Sequence, residues 1–439
     1  MIGRKRLSHD LVMVLGLALA LRLLFAAIVA NTYDPDEFVY LSLAKAMAHG
    51  AVPYHSFAFF HPPGMLFFLQ LLNPLTSLWW PLARLADILI DAGTACLVWA
   101  IGLHLYGRRG AAAAGILYAA SPVALVTSVR VMQEPIITFL AMAGLLLILT
   151  KRAPWAAVAA GFLLALSFWI KYPALLFAPA YVLAAGRRAW LWAGSALVTA
   201  IFLFAPYLGD IHTFFAQTVL WQLTRPAESL AFRLEEVAVF LVLVNPLSVL
   251  ALRQRPQKFL VAGFAVGLVY LFAGRGYYHY FMPMMPFAAL LGAPLAARLV
   301  HLSSRVVLIA CVAFVAACGG DILAGGPGRS LISAPSLSAD LPVVHLLDHS
   351  TEPDDPVLAD RFEYAYLAGR TPYDFYFWDM THQVHARRLE DDLDANLIVD
   401  THQVGHTFPR GFYSYLDRHY HHHRVGDTTV WFTDREREG

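Results

Sequence analysis

Charge is what this chain is short of: Asp, Glu, Lys and Arg make up 14% of its 439 residues, against about 25% in an average soluble domain. A water-exposed surface of this size cannot be covered with so little charge, which excludes an ordinary soluble fold. Cysteine is scarce as well, with only Cys96, Cys311 and Cys318 present. All three sit in apolar runs, where a thiol behaves as a small hydrophobe. No disulfide framework is implied, and a cysteine-free tail leaves its redox compartment undetermined. The chain also lacks a Walker-type phosphate loop, a GxGxxG turn in a strand-to-helix setting and any CxxC pair with zinc spacing. Those absences disfavour chemistry driven by ATP or by nucleotide sugars.

Apolar sequence is abundant, at 58% of the chain. A transmembrane helix needs about 20 mostly apolar residues, and runs of that kind recur from Leu11 to Leu323. Hydropathy predicts a polytopic α-helical membrane protein with about eleven transmembrane helices. They lie near 9–31, 84–105, 110–128, 134–150, 154–170, 173–186, 189–208, 236–252, 258–274, 279–297 and 305–323. The run at 173–186 is short and begins at a proline, as a broken or tilted element does. The first run follows Arg4-Lys5-Arg6 and is longer than the roughly 7–15 residues of a signal-peptide core, so it is read as a retained helix.

Orientation follows from the short basic clusters, because cytoplasmic loops are enriched in Lys and Arg near helix ends. Arg4/Lys5/Arg6, Arg108/Arg109, Lys151/Arg152, Arg187/Arg188, Arg253/Arg255/Lys258 and Arg298/Arg305 fall on every second boundary. This places the N-terminus in the cytoplasm and the loops 32–83, 129–133, 171–172, 209–235 and 274–278, with the tail, outside the cytoplasmic membrane. Eleven spans put the two ends on opposite sides. The charge split agrees: residues 1–324 hold 22 of the 32 Lys+Arg but only 12 of the 31 Asp+Glu.

The expected domains are therefore a membrane module, 1–324, and an extracytoplasmic soluble domain, 325–439. The tail opens with GGPGRSLISAPS, a linker composition. DPVLAD, NLIVD and TTVWFTD are strand-like and the stretch around Tyr413–His419 suits a helix, which predicts a small C-terminal α/β domain. His419, His421, His422 and His423 form a tract that can bind a transition metal; an incidental solvated cluster is the favoured reading.

The first exterior loop carries the most information. It reads YDPDEFVYLSLAKAMAHGAVPYHSFAFFHPPGMLFFLQLL. Apolar residues after Asp36-Glu37, and again over Gly64–Leu72, suit short helices lying at the interface. Asp34, Asp36 and Glu37 would then sit at headgroup level. Two readings of these acids stand side by side. Clustered like charges hinder one another's ionisation, and a carboxylate tuned in this way can act as a general base. Equally, Asp is a favoured N-cap for the helix that follows.

Several cations on the same side could hold a phosphate: Arg84, Arg130, Lys171, Arg225, Arg233 and Arg275. Charges at membrane depth are rare and are commonly functional or paired. Arg84 with Asp87 and Asp91 also has the spacing of an intramembrane ion pair, while Arg225 and Arg233 share a loop with Glu228, Glu235 and Glu236, as solvated surface pairs do. Lys171 and Arg275, each in a short turn between apolar spans, are favoured as phosphate contacts. Arg22, inside the first span, either pairs in the interior or snorkels.

These residues carry a resemblance. YDPDEFVY, GAVPY and HPPG, then Arg84 opening a helix that ends in LYGRRG, resemble the GT-C glycosyltransferases of the protein O-mannosyltransferase and aminoarabinose transferase type (glycosyltransferase family 39 and relatives). Glu134-Pro135, Lys171-Tyr172-Pro173 and YYHYFMPMMPFAALLGA extend the similarity, in order, over about residues 9–300. The resemblance implies a GT-C-like fold and a polyprenyl-phosphate sugar donor. It makes Asp36 the catalytic acid/base candidate with Glu37 beside it, and gives Glu134, with Asp34, an acceptor or cation site. His61 stands where the aminoarabinose transferases carry Lys, so the usual positive charge at that phosphate contact is replaced by an imidazole. The donor-phosphate set is then His61, Lys171, Arg275, Arg84 and Arg130.

The expected activity is an inverting transfer of a sugar to a glycan, lipid or protein acceptor, with membrane lipids around the enzyme and no nucleic acid partner. No cofactor motif is present. Carboxylates facing an anionic donor can hold Mg²⁺ or Mn²⁺ or act alone, and Asp36 and Glu134 are the candidate ligands. The rival reading is a transporter or flippase of a lipid-linked solute, against which stands the lack of a clear internal repeat. A third is an assembly or polymerase protein whose exported tail binds glycan.

Overall fold

Helix dominates the computed structural model, which describes residues 2–224, 229–239, 241, 246–273, 278–299, 335–352, 355–359, 361–372, 397–400, 410–426 and 428–432. The first nine α-helices are α1 (Ile2–Ile28), α2 (Pro35–Ala48), α3 (Gly64–Thr76), α4 (Leu82–Ala119), α5 (Pro122–Ser128), α6 (Gln133–Thr150), α7 (Pro154–Ile170), α8 (Ala178–Ala185) and α9 (Ala189–Phe204). Further helices include Lys258–Ala273 and Met285–Leu299.

The chain forms two compact units. One comprises Met1–Ala30, Trp79–Leu208 and Pro226–Ala334, the other Asn31–Leu78, Gly209–Arg225 and Pro335–Gly439. The first exterior loop is grouped with the tail. The cause is a set of contacts across about 300 positions. Tyr33 N–H donates to Pro335 O at 3.2 Å, Leu337 N–H donates to Asn31 O at 2.8 Å, and the Asn31 amide donates to the hydroxyls of Ser336 and Ser338.

Among the described residues, the stretches His9–Ile28, Leu82–Ala119, Gln133–Thr150, Tyr172–Leu223 and His279–Arg298 are long and apolar enough to cross a membrane, with shorter apolar helices including Pro154–Ile170 and Lys258–Leu268. The chain is an integral membrane protein. Gly107, at φ 72°, turns α4 sharply and splits it into two limbs, as Gly can where a side chain would be strained. The expected span 110–128 is not one helix. The second limb ends at Ala119, and α5 starts afresh because Ser121 caps it, accepting from Ala124 N–H, with Pro122 at its first position. The eleventh expected span, 305–323, lies outside the described residues.

Small residues let these helices approach closely, and alanines 92, 95, 114, 141, 157 and 160 are buried in the core. Gly161 is the tightest case: a Cβ there would lie 2.1 Å from the Trp192 carbonyl oxygen. Gly161→Val is expected to force α7 from α9 and lower stability by roughly 1–3 kcal/mol, read as a drop in Tm in detergent; an unchanged Tm would show that the contact does not matter. The outward face of α9 is apolar, with Trp190, Leu197, Val198 and Ile201 exposed and Phe202 78% exposed. Lipid solvates such a face without cost.

The second unit holds α2, α3, the segment 209–225 and the tail. The described tail residues form strands β1 (Pro356–Ala359), β2 (Thr371–Pro372), β3 (Leu397–Asp400), β4 (His421–Val425) and β5 (Thr428–Phe432), in the order β2-β1-β3-β5-β4. β1 pairs parallel with β2 and β3, while β5 runs antiparallel to β3 and β4. Helices Leu337–Ser350 and Phe362–Leu367 contribute Val343, Leu347, Tyr364 and Ala365 to a core with Val357, Val399 and Val430. The histidine tract is divided: His419 ends the helix Arg410–His419, while His421, His422 and His423 lie exposed on the edge strand β4, with the His422 ring 4.8 Å from that of Trp431.

Candidate active site

The acids after the first span are sorted by how α2 begins. Asp34 is extended (φ −95°, ψ 131°) and Pro35 takes the first helical position, where its fixed φ suits the helix. The Asp34 carboxylate accepts from Asp36 N–H at 3.1 Å, and the Glu37 carboxylate reaches back to Asp34 N–H at 2.8 Å. This is a complete capping box. Glu37 is wholly buried, so its carboxylate serves the helix start and is not presented to solvent. Asp36 contributes its backbone N–H to the cap and keeps its carboxylate outside the box. Asp36 is half-buried, at a helix N-terminus whose dipole favours an anion. Sequence reasoning grouped Asp36 and Glu37; in the structure the Glu37 side chain closes the cap and the Asp36 side chain does not.

His61 is placed by a loop that 209–225 grips. Tyr54 sits at φ 69°, a strained conformation for a non-glycine residue. Its hydroxyl donates to His61 O at 2.7 Å. Buried Gln217 accepts from Phe59 N–H at 3.0 Å and donates to Tyr54 O at 3.4 Å, while Gln222 donates to Phe60 O at 3.3 Å. The Phe60 and Trp221 rings stack at 3.4 Å. The half-buried His61 imidazole lies 5.8 Å from the Phe59 ring, just before Pro62-Pro63 lead into α3. Gln217 escaped sequence reasoning; its one trace is a polar residue in an otherwise apolar run.

In the first unit, α6 starts where Asp87 accepts Met132 N–H at 2.7 Å. Glu134, in its first turn, is 2% exposed. Its Oε1 accepts from Lys171 Nζ at 2.6 Å and lies 3.9 Å from His279 Nε2. Its Oε2 has no hydrogen-bond partner among the described residues, and neither has Oε1 of neighbouring Gln133. Lys171 ends α7, its N–H donating to Ser167 O at 3.0 Å, and its ammonium lies 5.1 Å from the Tyr280 ring centroid. The charge of Lys171 is thus committed to Glu134, which competes with a phosphate contact. His279 was visible in sequence only within YYHYFMPMM.

The remaining cations separate. Arg84 is buried with its guanidinium 4.6 Å from the Trp80 ring, Arg130 is 1% exposed, and Arg275, like Arg225, lies outside the described residues. Asp91 is taken by Arg22, whose Nε donates to it at 2.7 Å. Among the described residues no three His, Cys, Asp or Glu side chains come together as a metal set.

Residues 60–209 match the family model described as dolichyl-phosphate-mannose-protein mannosyltransferase. No curated protein matches the chain in sequence. Among solved structures, ArnT from Cupriavidus metallidurans bound to undecaprenyl phosphate superposes with a TM-score of 0.69 at 15% identity, covering 94% of this chain and 97% of that one. Its apo form matches equally. The Archaeoglobus fulgidus oligosaccharyltransferase tethered with an acceptor peptide gives a TM-score of 0.54 at 10% identity, covering 90% of this chain and 69% of that one. At such identities the likeness is one of fold. The chain thus shares the fold of ArnT and of the archaeal oligosaccharyltransferase, and its segment 60–209 is similar to the dolichyl-phosphate-mannose-protein mannosyltransferase family.

Proposed function

We propose that the protein moves a sugar from a polyprenyl-phosphate donor to an acceptor on the extracytoplasmic face, with inversion and with Asp36 as general base. The acceptor hydroxyl oxygen attacks the anomeric carbon as the bond from that carbon to the phosphate oxygen breaks. Asp36 takes the hydroxyl proton, and the polyprenyl phosphate leaves with the bonding electrons. Cationic side chains stabilise the departing phosphate; His61, Arg84, Arg130 and Arg275 are the candidates, with Lys171 available on exchange from Glu134. Glu134 is the second acidic position, for an acceptor or a cation.

The observation that carries this reading is the sorting of the acids: Asp34 and Glu37 close the cap, and Asp36 alone of the three keeps its carboxylate outside the box. A lipid-phosphate donor is supported by the fold of ArnT, crystallised with undecaprenyl phosphate, and by the segment matching a family named for a polyprenyl-phosphate-linked mannose. The topology of about eleven spans with the N-terminus inside is supported by the grouping of 31–78, 209–225 and the tail in one unit, since these are the long segments expected outside.

The test is reconstitution in proteoliposomes with a panel of polyprenyl-phosphate monosaccharides. Release of polyprenyl phosphate with label appearing in an acceptor is the expected result, matched by donor accumulating in a deletion strain. Translocation of intact donor with no transfer would instead establish the flippase.

A further inference from the structure

Tyr33 immediately precedes the capping residue Asp34, and it is wholly buried. Its hydroxyl donates to Glu363 Oε1 at 2.7 Å, makes a short hydrogen bond with Asp340, and accepts from the Arg361 guanidinium. Arg361 also pairs with Glu363 and lies 5.7 Å from the Tyr33 ring centroid. Glu363 and Asp340 are 1% and 7% exposed. The ring of Tyr33 packs edge-on against Phe38 of α2 at 5.1 Å, and Phe38 meets Tyr366 at 5.6 Å. With its backbone N–H on Pro335 O, Tyr33 is held at three places by residues about 300 positions away.

A buried array of two acids, an arginine and a phenol is costly unless fully satisfied. Asp340 also accepts from the Tyr364 hydroxyl at 3.1 Å. Burial raises the Tyr33 hydroxyl far above its usual range, which keeps it a neutral donor. Burial also raises the Glu363 carboxyl, against the opposing charge of Arg361. The array therefore grips the phenol in one orientation and fixes the residue from which Asp34 departs.

Resting on the reading of Asp36 as general base, we propose that Arg361, Glu363 and Asp340 of the tail are positioning residues for the catalytic turn: by clamping Tyr33 they set the backbone of Asp34 and thereby aim the Asp36 carboxylate. The tail is then part of the machinery of transfer and not an appendage. A displacement of about 1 Å at a catalytic group can cost roughly 100-fold in rate, so a clamp two to three residues away has leverage.

Tyr33→Phe removes the hydroxyl and keeps the ring; Glu363→Gln keeps the shape and removes the acid. Both, made in the full chain, are expected to lower kcat by roughly 10–100-fold, to leave KM for the donor within about twofold, and to speed hydrogen exchange of the amides at 35–39. Arg370→Lys is the comparison. Arg370 is buried in the tail, donating to Ala368 O at 2.7 Å and Thr351 O at 2.6 Å, and does not touch Tyr33. It should lower Tm with kcat unchanged. Unaltered kcat or unaltered exchange at 35–39 in Tyr33→Phe overturns the clamp, as does an Arg370→Lys variant that loses kcat equally. If wild type transfers no sugar while the exchange responds as expected, the grip on α2 stands and the reading of Asp36 falls.

Discussion

Asp36→Asn is expected to abolish sugar transfer, by roughly 100–10,000-fold in kcat, the range that a positioned general base contributes, while the protein stays folded and binds its donor. The amide is nearly isosteric with the carboxylate, and the capping box does not use that side chain, so α2 should begin as before. Only the capacity to take the acceptor proton is lost. The neighbouring acids should respond differently. Asp34→Ala removes the oxygen that accepts Asp36 N–H, and Glu37→Ala removes the one that accepts Asp34 N–H. Each should cost about 0.5–2 kcal/mol of stability, the usual loss for an N-cap, with a smaller loss of kcat that follows the disordering of the turn. The measurement is transfer rate beside Tm for all three variants. Full activity in Asp36→Asn together with its loss in Glu37→Ala would move the base to Glu37 and remove the basis for the proposed site.

That three acids in one turn divide into a capping pair and one carboxylate outside the cap shows what the sequence could and could not convey. The spacing Asp34-x-x-Glu37 is itself a capping-box signature, legible in the order of the residues alone. The composition of the turn hides it, because Asp36 lies between the two and all three invite a common role. Local features otherwise read well: Gly107 marks the turn between two limbs, and Lys171-Tyr172-Pro173 marks the end of α7. Features made by distant segments did not. The pairing of Arg22 with Asp91 joins two helices 69 positions apart. Gln217 serves the 54–60 loop from about 160 positions downstream. The grouping of the first exterior loop with the tail depends on Tyr33 meeting Glu363 and Asp340. Hydropathy locates segments along a chain and says nothing about which of them fold together.

The Arg22–Asp91 pair yields the largest effect expected on stability. Both side chains are fully buried. Arg22 also donates from Nη1 to Ala119 O at 3.2 Å, and Asp91 Oδ1 accepts from Tyr118 at 2.5 Å. An ion pair of this kind need not stabilise relative to apolar residues, since desolvation offsets much of its attraction, but breaking it on one side strands a charge and costs about 3–5 kcal/mol. Asp91→Leu should therefore lower Tm sharply and reduce the yield of folded protein in detergent, leaving the guanidinium among Ala18, Ala119 and Tyr118. Adding Arg22→Met removes the stranded charge, and the double variant should recover most of the loss. The coupling would be strongly non-additive, as expected for groups in direct contact. The unpartnered Tyr118 hydroxyl is the remaining cost, and Tyr118→Phe should lessen it. Were Asp91→Leu alone as stable as wild type, α1 and α4 would be joined by their small-residue packing around Val14, Ala18 and Ala114 and not by this pair. A pair that can be exchanged for apolar residues without loss specifies which helices meet more than it holds them together.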